Sequence, residues 1–277
     1  MPVPRLSATR YVQPLREGGS LPAVVDTEDG LYVAKFRGAG QGTKVLVAEL
    51  LVGAIAERLE LPVPALALID VSPRFGRSEP DPEIQDLLRR SHGVNVGMRY
   101  LEGAFNFDLA AAGNLVDPEL AARIVWLDAY TTNPDRTARN PNLLVWRRTP
   151  WLIDHGAALY AHHDWQGVDD ARARTSFSHI RSHVLLHQSG DLARADRDAM
   201  ARLTPAVIRE IVATLPDELL VDPASRTREF ASGDEARARY EQYLVTRMTE
   251  PRTFVREAIA AQEQVRAEPP LHLKARR

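Results

Sequence analysis

Between residues 133 and 156 the chain places an aspartate, an asparagine and a second aspartate around a short hairpin. That arrangement constrains the fold more than any other stretch. The segment reads Asn133-Pro134-Asp135-Arg136-Thr137-Ala138-Arg139-Asn140, so Asp135 precedes Asn140 by five residues. Asn142 to Trp146 is a short apolar run, Arg147-Arg148-Thr149-Pro150 a polar turn, and Trp151-Leu152-Ile153 a second apolar run. Two such runs joined by a short turn predict a β-hairpin. Folded about Arg148, the hairpin brings Asn140 and Asp154 to its open end, with Asp135 in the loop just before it. Taken alone, Asp135 and Asn140 beside Pro134 and Pro141 are ordinary turn formers. The hairpin and Asp154 argue for chemistry instead. ATP-dependent phosphotransfer uses a carboxylate near the acceptor hydroxyl and oxygen ligands for magnesium. Magnesium takes one or two protein carboxylates, with phosphate and water completing its shell. Asp135 fits the first need; Asn140 and Asp154 fit the second.

The upstream half supplies a rarer signal. Of 35 Lys plus Arg residues, only Lys35, Lys44 and Lys274 are lysines. Lys35 lies in an apolar strand, Leu31-Tyr32-Val33-Ala34-Lys35-Phe36. Period-two alternation puts it on the face of Leu31 and Val33. A half-buried ammonium needs a counter-charge. In the helix expected from about Lys44 to Leu59, Glu49 is the one ionisable residue between Val45 and Ala56. The two lone charges predict a buried ion pair; the alternative is a snorkelling Lys35 and a solvent-facing Glu49. A strand lysine paired with a helix glutamate is how kinases hold the lysine that grips ATP phosphates.

With those residues in order, the chain resembles the HipA-type branch of the protein-kinase-like fold. The resemblance spans roughly residues 15 to 190. Gly18-Gly19-Ser20 stands where a phosphate-covering loop belongs, and Asp29-Gly30 turns a hairpin into the Lys35 strand. Glu49 follows in the helix that ends before Pro62-Val63-Pro64. Asn133-Pro134-Asp135-Arg136 with Asn140, then Ile153-Asp154-His155-Gly156, complete the match. The catalytic segment is also similar to the loop of phosphatidylinositol kinases, with Thr137 in place of a His. Two departures are a short Gly-rich loop and His155 where many kinases carry Phe. The extra N-terminal subdomain of longer HipA toxins is expected to be missing. The resemblance implies ATP and Mg²⁺ as cofactors. It implies a hydroxyl acceptor, most directly a protein Ser/Thr or the chain itself, and it leaves a regulatory protein partner open.

Composition sets outer bounds. The chain has 277 residues and 44% apolar content, enough for a large core. No stretch approaches membrane-spanning length, and the N-terminus carries no apolar signal-type core. The absence of cysteine excludes disulfides and thiolate catalysis and makes a cytoplasmic location the expectation. A net charge of −2 argues against general nucleic-acid affinity.

The element pattern predicts an α+β, two-lobed, protein-kinase-like fold, with a small β-rich N-lobe over residues 1–101 and a mainly helical C-lobe over 102–277. Residues 15 to about 71 read as strand, Asp-Gly turn, strand, long helix and strand. A loop covers 72–82 and a short helix Pro82 to Arg90. Val94 to Leu101 is an extended segment that links the lobes and presents backbone to adenine, with Met98 and Tyr100 as candidate nucleotide contacts. Asp117-Pro118 and Thr204-Pro205 are cap-plus-proline helix starts, the latter before Ala206 to Leu215. Further helices fit Asp234 to Met248 and Pro251 to Arg266. Residues 268–277 are expected to be a disordered tail.

Six of eight histidines fall between His155 and His187. His179, His183 and His187, spaced by four, would line one helix face and could present imidazoles to zinc. With no Cys and no intervening Glu, a structural or surface role is the preferred reading. His162-His163 follow closely enough to lie on the acceptor side. Three function classes stay open: an active kinase, a nucleotide-binding pseudokinase scaffold, and a pyridoxal-phosphate enzyme. The last needs an internal lysine, and none of the three lysines follows a large cofactor domain. A small-molecule acceptor also remains open, because fold analogy cannot choose the substrate.

Overall fold

The computed structural model describes residues 3–15, 21–40, 42–77, 79–221 and 229–268. The expected phosphate-covering residues Gly18, Gly19 and Ser20, and the tail 269–277 with Lys274, lie outside the described residues. The architecture is mixed α+β.

Five strands close into a barrel in the order β1-β2-β3-β5-β4. They are β1 (Arg5–Pro14), β2 (Ala23–Thr27), β3 (Gly30–Lys35), β4 (Leu66–Val71) and β5 (Gly93–Arg99). All neighbours pair antiparallel except β1 and β4, which are parallel. Strand β1 precedes the first strand expected from the sequence, at residue 15. Along β1 only Leu6 and Ala8 are buried, so the alternation that marks a strand lasts too briefly to register. The β2–β3 turn is Glu28-Asp29, one residue earlier than expected, and Gly30 opens β3. Gly30 has φ of +98°, a conformation that suits glycine and strains residues with a Cβ. Thr27 Oγ1 clasps the turn, donating to the Gly30 carbonyl at 2.8 Å.

Alternation along β3 does the sorting the sequence predicts. Tyr32, Ala34 and Phe36 point into the barrel with Ala23, Val25, Ala67 and Ile69, while Val33 and Lys35 face the opposite way, into a cleft. Helix α2 (Pro82–Arg90) adds Ile84, Leu87 and Leu88 to the barrel interior. Its start is fixed by Asp81, whose carboxylate accepts from the Glu83 and Ile84 amides, followed by Pro82 in the first turn. Helix α1 (Gly42–Arg58) is buried on nearly every side. It lies between the outer face of the barrel, at Leu68, Val94 and Val96, and the helical part of the chain. A helix that is apolar all round belongs inside a molecule, which makes the lone Glu49 conspicuous.

The remainder carries a small sheet, β6 (Phe105–Asn106), β7 (Leu143–Trp146) and β8 (Thr149–Leu152), in that order. Its helices are α3 (Leu109–Ala112), α4 (Pro118–Thr131), α5 (Asp170–Ala173), α6 (Leu192–Arg202), α7 (Pro205–Val212), α8 (Asp217–Leu220), α9 (Gly233–Met248) and α10 (Thr253–Ala267). Short 3₁₀ segments cover Tyr160–Gly167 and Ser178–Ser182. The predicted β-hairpin is β7–β8, with a tighter turn: Arg147 and Arg148 alone form it, both at positive φ, as two-residue hairpin turns prefer. Thr149 and Pro150 belong to β8. Asp117 and Thr204 cap α4 and α7 through their side chains as expected. Helix α7 stops at Val212, short of Leu215. Helix α4 is central, its Trp126 and Tyr130 stacked at 5.1 Å and both touching Phe254 of α10. No helix among the described residues is long and apolar enough to cross a membrane.

Candidate active site

The cleft faced by Val33 and Lys35 runs between the barrel and the β6–β8 sheet and has a volume of about 520 Å³. At its polar end the predicted Lys35–Glu49 pair exists: the Lys35 ammonium contacts Glu49 Oε1 directly. Glu49 is 1% exposed. The same ammonium also lies 2.5 Å from Asp154 Oδ1, a contact across 119 positions that the sequence reading did not anticipate. One cation thus serves two carboxylates. Burial works against the Lys35 charge, but the two carboxylates outweigh it and raise its pKa above the ordinary lysine value. Burial also opposes ionisation of Asp154; Lys35 outweighs it and lowers that pKa. Burial drives Glu49 upward, and Lys35, countered by the Asp154 charge, does not cancel the rise. Among the described residues Glu49 Oε2 has no hydrogen-bond partner.

The local backbone explains how Asp154 arrives there. It sits at φ of +54°, a left-handed conformation uncommon outside glycine, just past the end of β8. Gly156 then permits the close approach of α1. A Cβ there would fall 2.5 Å from Val45 Cγ1 and 3.0 Å from Glu49 Oε1, so a side chain would push α1 off the Lys35 strand.

Asp135 lies beside the predicted ligand Asn140. Its Oδ2 accepts from Asn140 Nδ2 at 2.8 Å and from Asn142 Nδ2 at 3.2 Å. Its backbone is held in an Asx turn, the Asp135 amide donating to Asn133 Oδ1 at 3.1 Å. An amide whose nitrogen is engaged presents its oxygen on the other side. Asn140 and Asp154 both border the cleft, so the site offers an amide oxygen and a carboxylate. Both are hard donors of the kind magnesium takes. Asp135 itself is set behind Asn140 and Asn142, half-buried rather than on the cleft wall. Asn142, read in the sequence only as the start of an apolar run, is a second support for Asp135.

Behind this loop lies a cluster that the sequence reading missed. Asp128 of α4 is fully buried and accepts from Arg136 Nε at 2.5 Å, His183 Nε2 at 2.9 Å and Asn133 Nδ2 at 3.0 Å. Arg136 also donates to the Asn142 carbonyl and contacts His155 Nδ1 at 3.4 Å. Burial alone would raise the Asp128 pKa, but Arg136 and His183 outweigh it and hold it well below the carboxylate range. Burial, with help from Arg136, pushes His155 down to about 3. The signal was present: Asp128 is the one charge in Ile124-Val125-Trp126-Leu127-Asp128-Ala129-Tyr130, the criterion that singled out Glu49.

Met98 and Tyr100 both line the cleft as expected, with Val96, Leu144 and Ile153 forming apolar walls. The Tyr100 amide already donates to the Leu31 carbonyl. The histidine spacing does not survive. The 3₁₀ turn ends at Ser182, so no helix carries His179, His183 and His187 on one face. His183 is buried against Asp128, whereas His179 and His187 are exposed. His162 is buried too, its Nδ1 3.0 Å from the Tyr240 hydroxyl.

The sequence profile of the HipA-like kinase family matches residues 9–253, a span that includes Lys35, Glu49, Asp135, Asn140 and Asp154. The chain belongs to the HipA-like kinase family. Among solved structures, this HipA-like kinase is similar to the Helicobacter pylori proinflammatory kinase CtkA. The identity is 13%, the TM-score 0.49, and the alignment covers 96% of this chain and 100% of that one. No curated protein matches the sequence.

Proposed function

We propose that this HipA-like kinase is an ATP- and magnesium-dependent enzyme that transfers the γ-phosphoryl group to a hydroxyl, that of a protein Ser or Thr or of the chain itself. The observation that carries this reading is the ammonium of Lys35 held between Glu49 and Asp154 at the polar end of an apolar-walled cleft. Phosphoryl transfer needs positioning and charge neutralisation more than covalent chemistry, and these residues can provide both. Lys35 grips the nucleotide phosphates while Glu49 orients it. Met98 and Tyr100 flank the base. Asp154 and Asn140 hold magnesium, which when bound neutralises charge on the phosphates. Asp135, steadied by Asn140 and Asn142, accepts or orients the acceptor proton. The chain divides into a β-rich N-lobe, residues 1–101, and a helical C-lobe, residues 102–277. The separate apolar core inside the barrel supports that division. The lack of cysteine supports a cytoplasmic setting.

The test is calorimetry with ATP and magnesium, together with labelled-ATP transfer, alone and with cell extract, read by mass spectrometry. Asp154→Asn should weaken magnesium-dependent binding far more than Asp164→Asn, whose carboxylate accepts from the Gly167 amide in its own turn. Equal, metal-independent binding by both variants would end the reading. Binding without transfer to any acceptor would leave a nucleotide-binding pseudokinase.

A further inference from the structure

Helix α1 is fastened at a second point. Lys44, in its first turn, donates to the His162 carbonyl and pairs with Glu229 Oε2 at 2.7 Å. Local preference does not explain a lysine here. A cation in the first turn opposes the helix dipole, and the chain writes nearly all other positive charge as arginine. A compact ammonium with several donors suits two acceptors at once, as Lys35 does for Glu49 and Asp154. The anchor on the other side is firm. His162 is buried and linked to Tyr240, and Trp165 packs against both Tyr240 and Phe230, the neighbour of Glu229. The helix pitch puts Lys44 about 7.5 Å along the axis from Glu49. Between them, Val45 rests on Gly156. The amino-terminal half of α1 is therefore held along the stretch that begins at Asp154 and runs to His162.

We propose that Lys44 is a positioning residue: bound to the His162 carbonyl and Glu229, it holds α1 in the placement that keeps Glu49 on Lys35. The placement of α1 is independent of the function proposed above; its effect on phosphotransfer rests on that reading. Loss of the Lys44 contacts frees the first turns of α1, and the benefit of Glu49 to transfer falls with them. The segment 160–167 and residue Glu229 thereby gain leverage over a site to which neither contributes a ligand.

Two measurements on the full chain decide the matter. The first is amide hydrogen exchange by mass spectrometry of wild type, Lys44→Met, Lys44→Arg and Glu229→Gln. Lys44→Met should speed exchange in peptides covering 42–58 by roughly tenfold or more while α9 and α10 keep their protection. Lys44→Arg should restore much of it, and Glu229→Gln should show a milder form. Unchanged exchange in α1 overturns the proposal. So does a uniform loss of protection, which would make Lys44 a general stability residue. The second compares the effect of Glu49→Gln on kcat in wild type and in Lys44→Met. A severalfold smaller effect in the Lys44→Met background is expected; equal effects overturn the coupling. If Lys44→Met does not fold, Glu229→Gln carries both measurements. If the wild type transfers no phosphate, the proposed function has failed, and exchange alone decides the latch.

Discussion

Two buried charge clusters lie within a few residues of each other, one open and one closed. In the closed cluster Asp128 and Arg136 are wholly buried, and Asp128 is satisfied by Arg136, His183 and Asn133. In the open cluster a single ammonium faces two carboxylates, Glu49 Oε2 has no partner among the described residues, and the Asp154 side chain is 44% exposed. Both pair acids with bases beneath the same loop, yet only the open one keeps acceptor capacity directed at a cleft. The closed cluster sets geometry, since Arg136 reaches the Asn142 and Ile153 carbonyls and His155, which flank Asp135 and Asp154. Uncompensated charge next to a cavity marks where a ligand belongs; complete compensation marks the frame.

The sharpest way to break this contrast is to remove one acid from each cluster. Asp128→Asn leaves Arg136 buried without its counter-charge and should cost about 3–5 kcal/mol of unfolding free energy. Asp154→Asn should cost roughly 1 kcal/mol or less, because its partner retains Glu49 and its own side chain is partly solvated. Comparable losses in urea denaturation would erase the distinction.

Next in size is Asp135, between the clusters. Asp135→Ala should lower phosphotransfer by about 10²–10⁴-fold, the range for loss of an acid–base group, while ATP affinity stays near wild type. Near-normal turnover would mean that another group handles the proton.

Within the open cluster, Lys35→Met and Glu49→Gln should be non-additive on nucleotide affinity. A coupling of about 0.5–3 kcal/mol is typical of side chains in contact. Additive losses would show that the pair does not act together in solution.

The smallest effect concerns pH. Burial holds His162 and His183 below the ordinary histidine value, so each gives up its proton more readily folded than unfolded. Their contribution is complete above the unfolded value of about 6.5. It declines as pH falls from there toward the folded values, because the unfolded chain binds more protons. The slope is at most about 1.4 kcal/mol per pH unit for each histidine. His183→Gln should flatten the stability profile between pH 6.5 and 5. An unchanged slope would assign the acid sensitivity elsewhere.

What was readable in the sequence were residues that violate their surroundings. Lys35 and Glu49 are lone charges in apolar elements, and Asp117 and Thr204 announce helices by capping chemistry. Asp128 obeys the same rule and could have been found by it. Arg136 could not: in sequence it is one arginine among many, in a loop, and its burial comes from α4 and the segment around His183 folding over it. The Lys35–Asp154 contact joins elements far apart in the chain, which no local period encodes. The shared helix face suggested for His179, His183 and His187 is absent because period-four reasoning presumes a continuous helix, and the backbone at Ser182 does not continue one; their preferred structural or surface reading agrees with a buried His183 and exposed His179 and His187. Strand β1 stayed hidden because barrel closure, more than its own side chains, holds it.

That closure has a mechanical consequence. Strand β3 is bonded on one side to β2 and on the other to β5, in a sheet with no free edge along which to slide. A slip of one residue would turn the Lys35 ammonium inward among Tyr32, Ala34 and Phe36, and all five strands would have to shift together to allow it. The lysine therefore stands on a fixed bench while its glutamate rides on a helix held by side-chain contacts. Whatever tunes this enzyme has one half of the pair it can move.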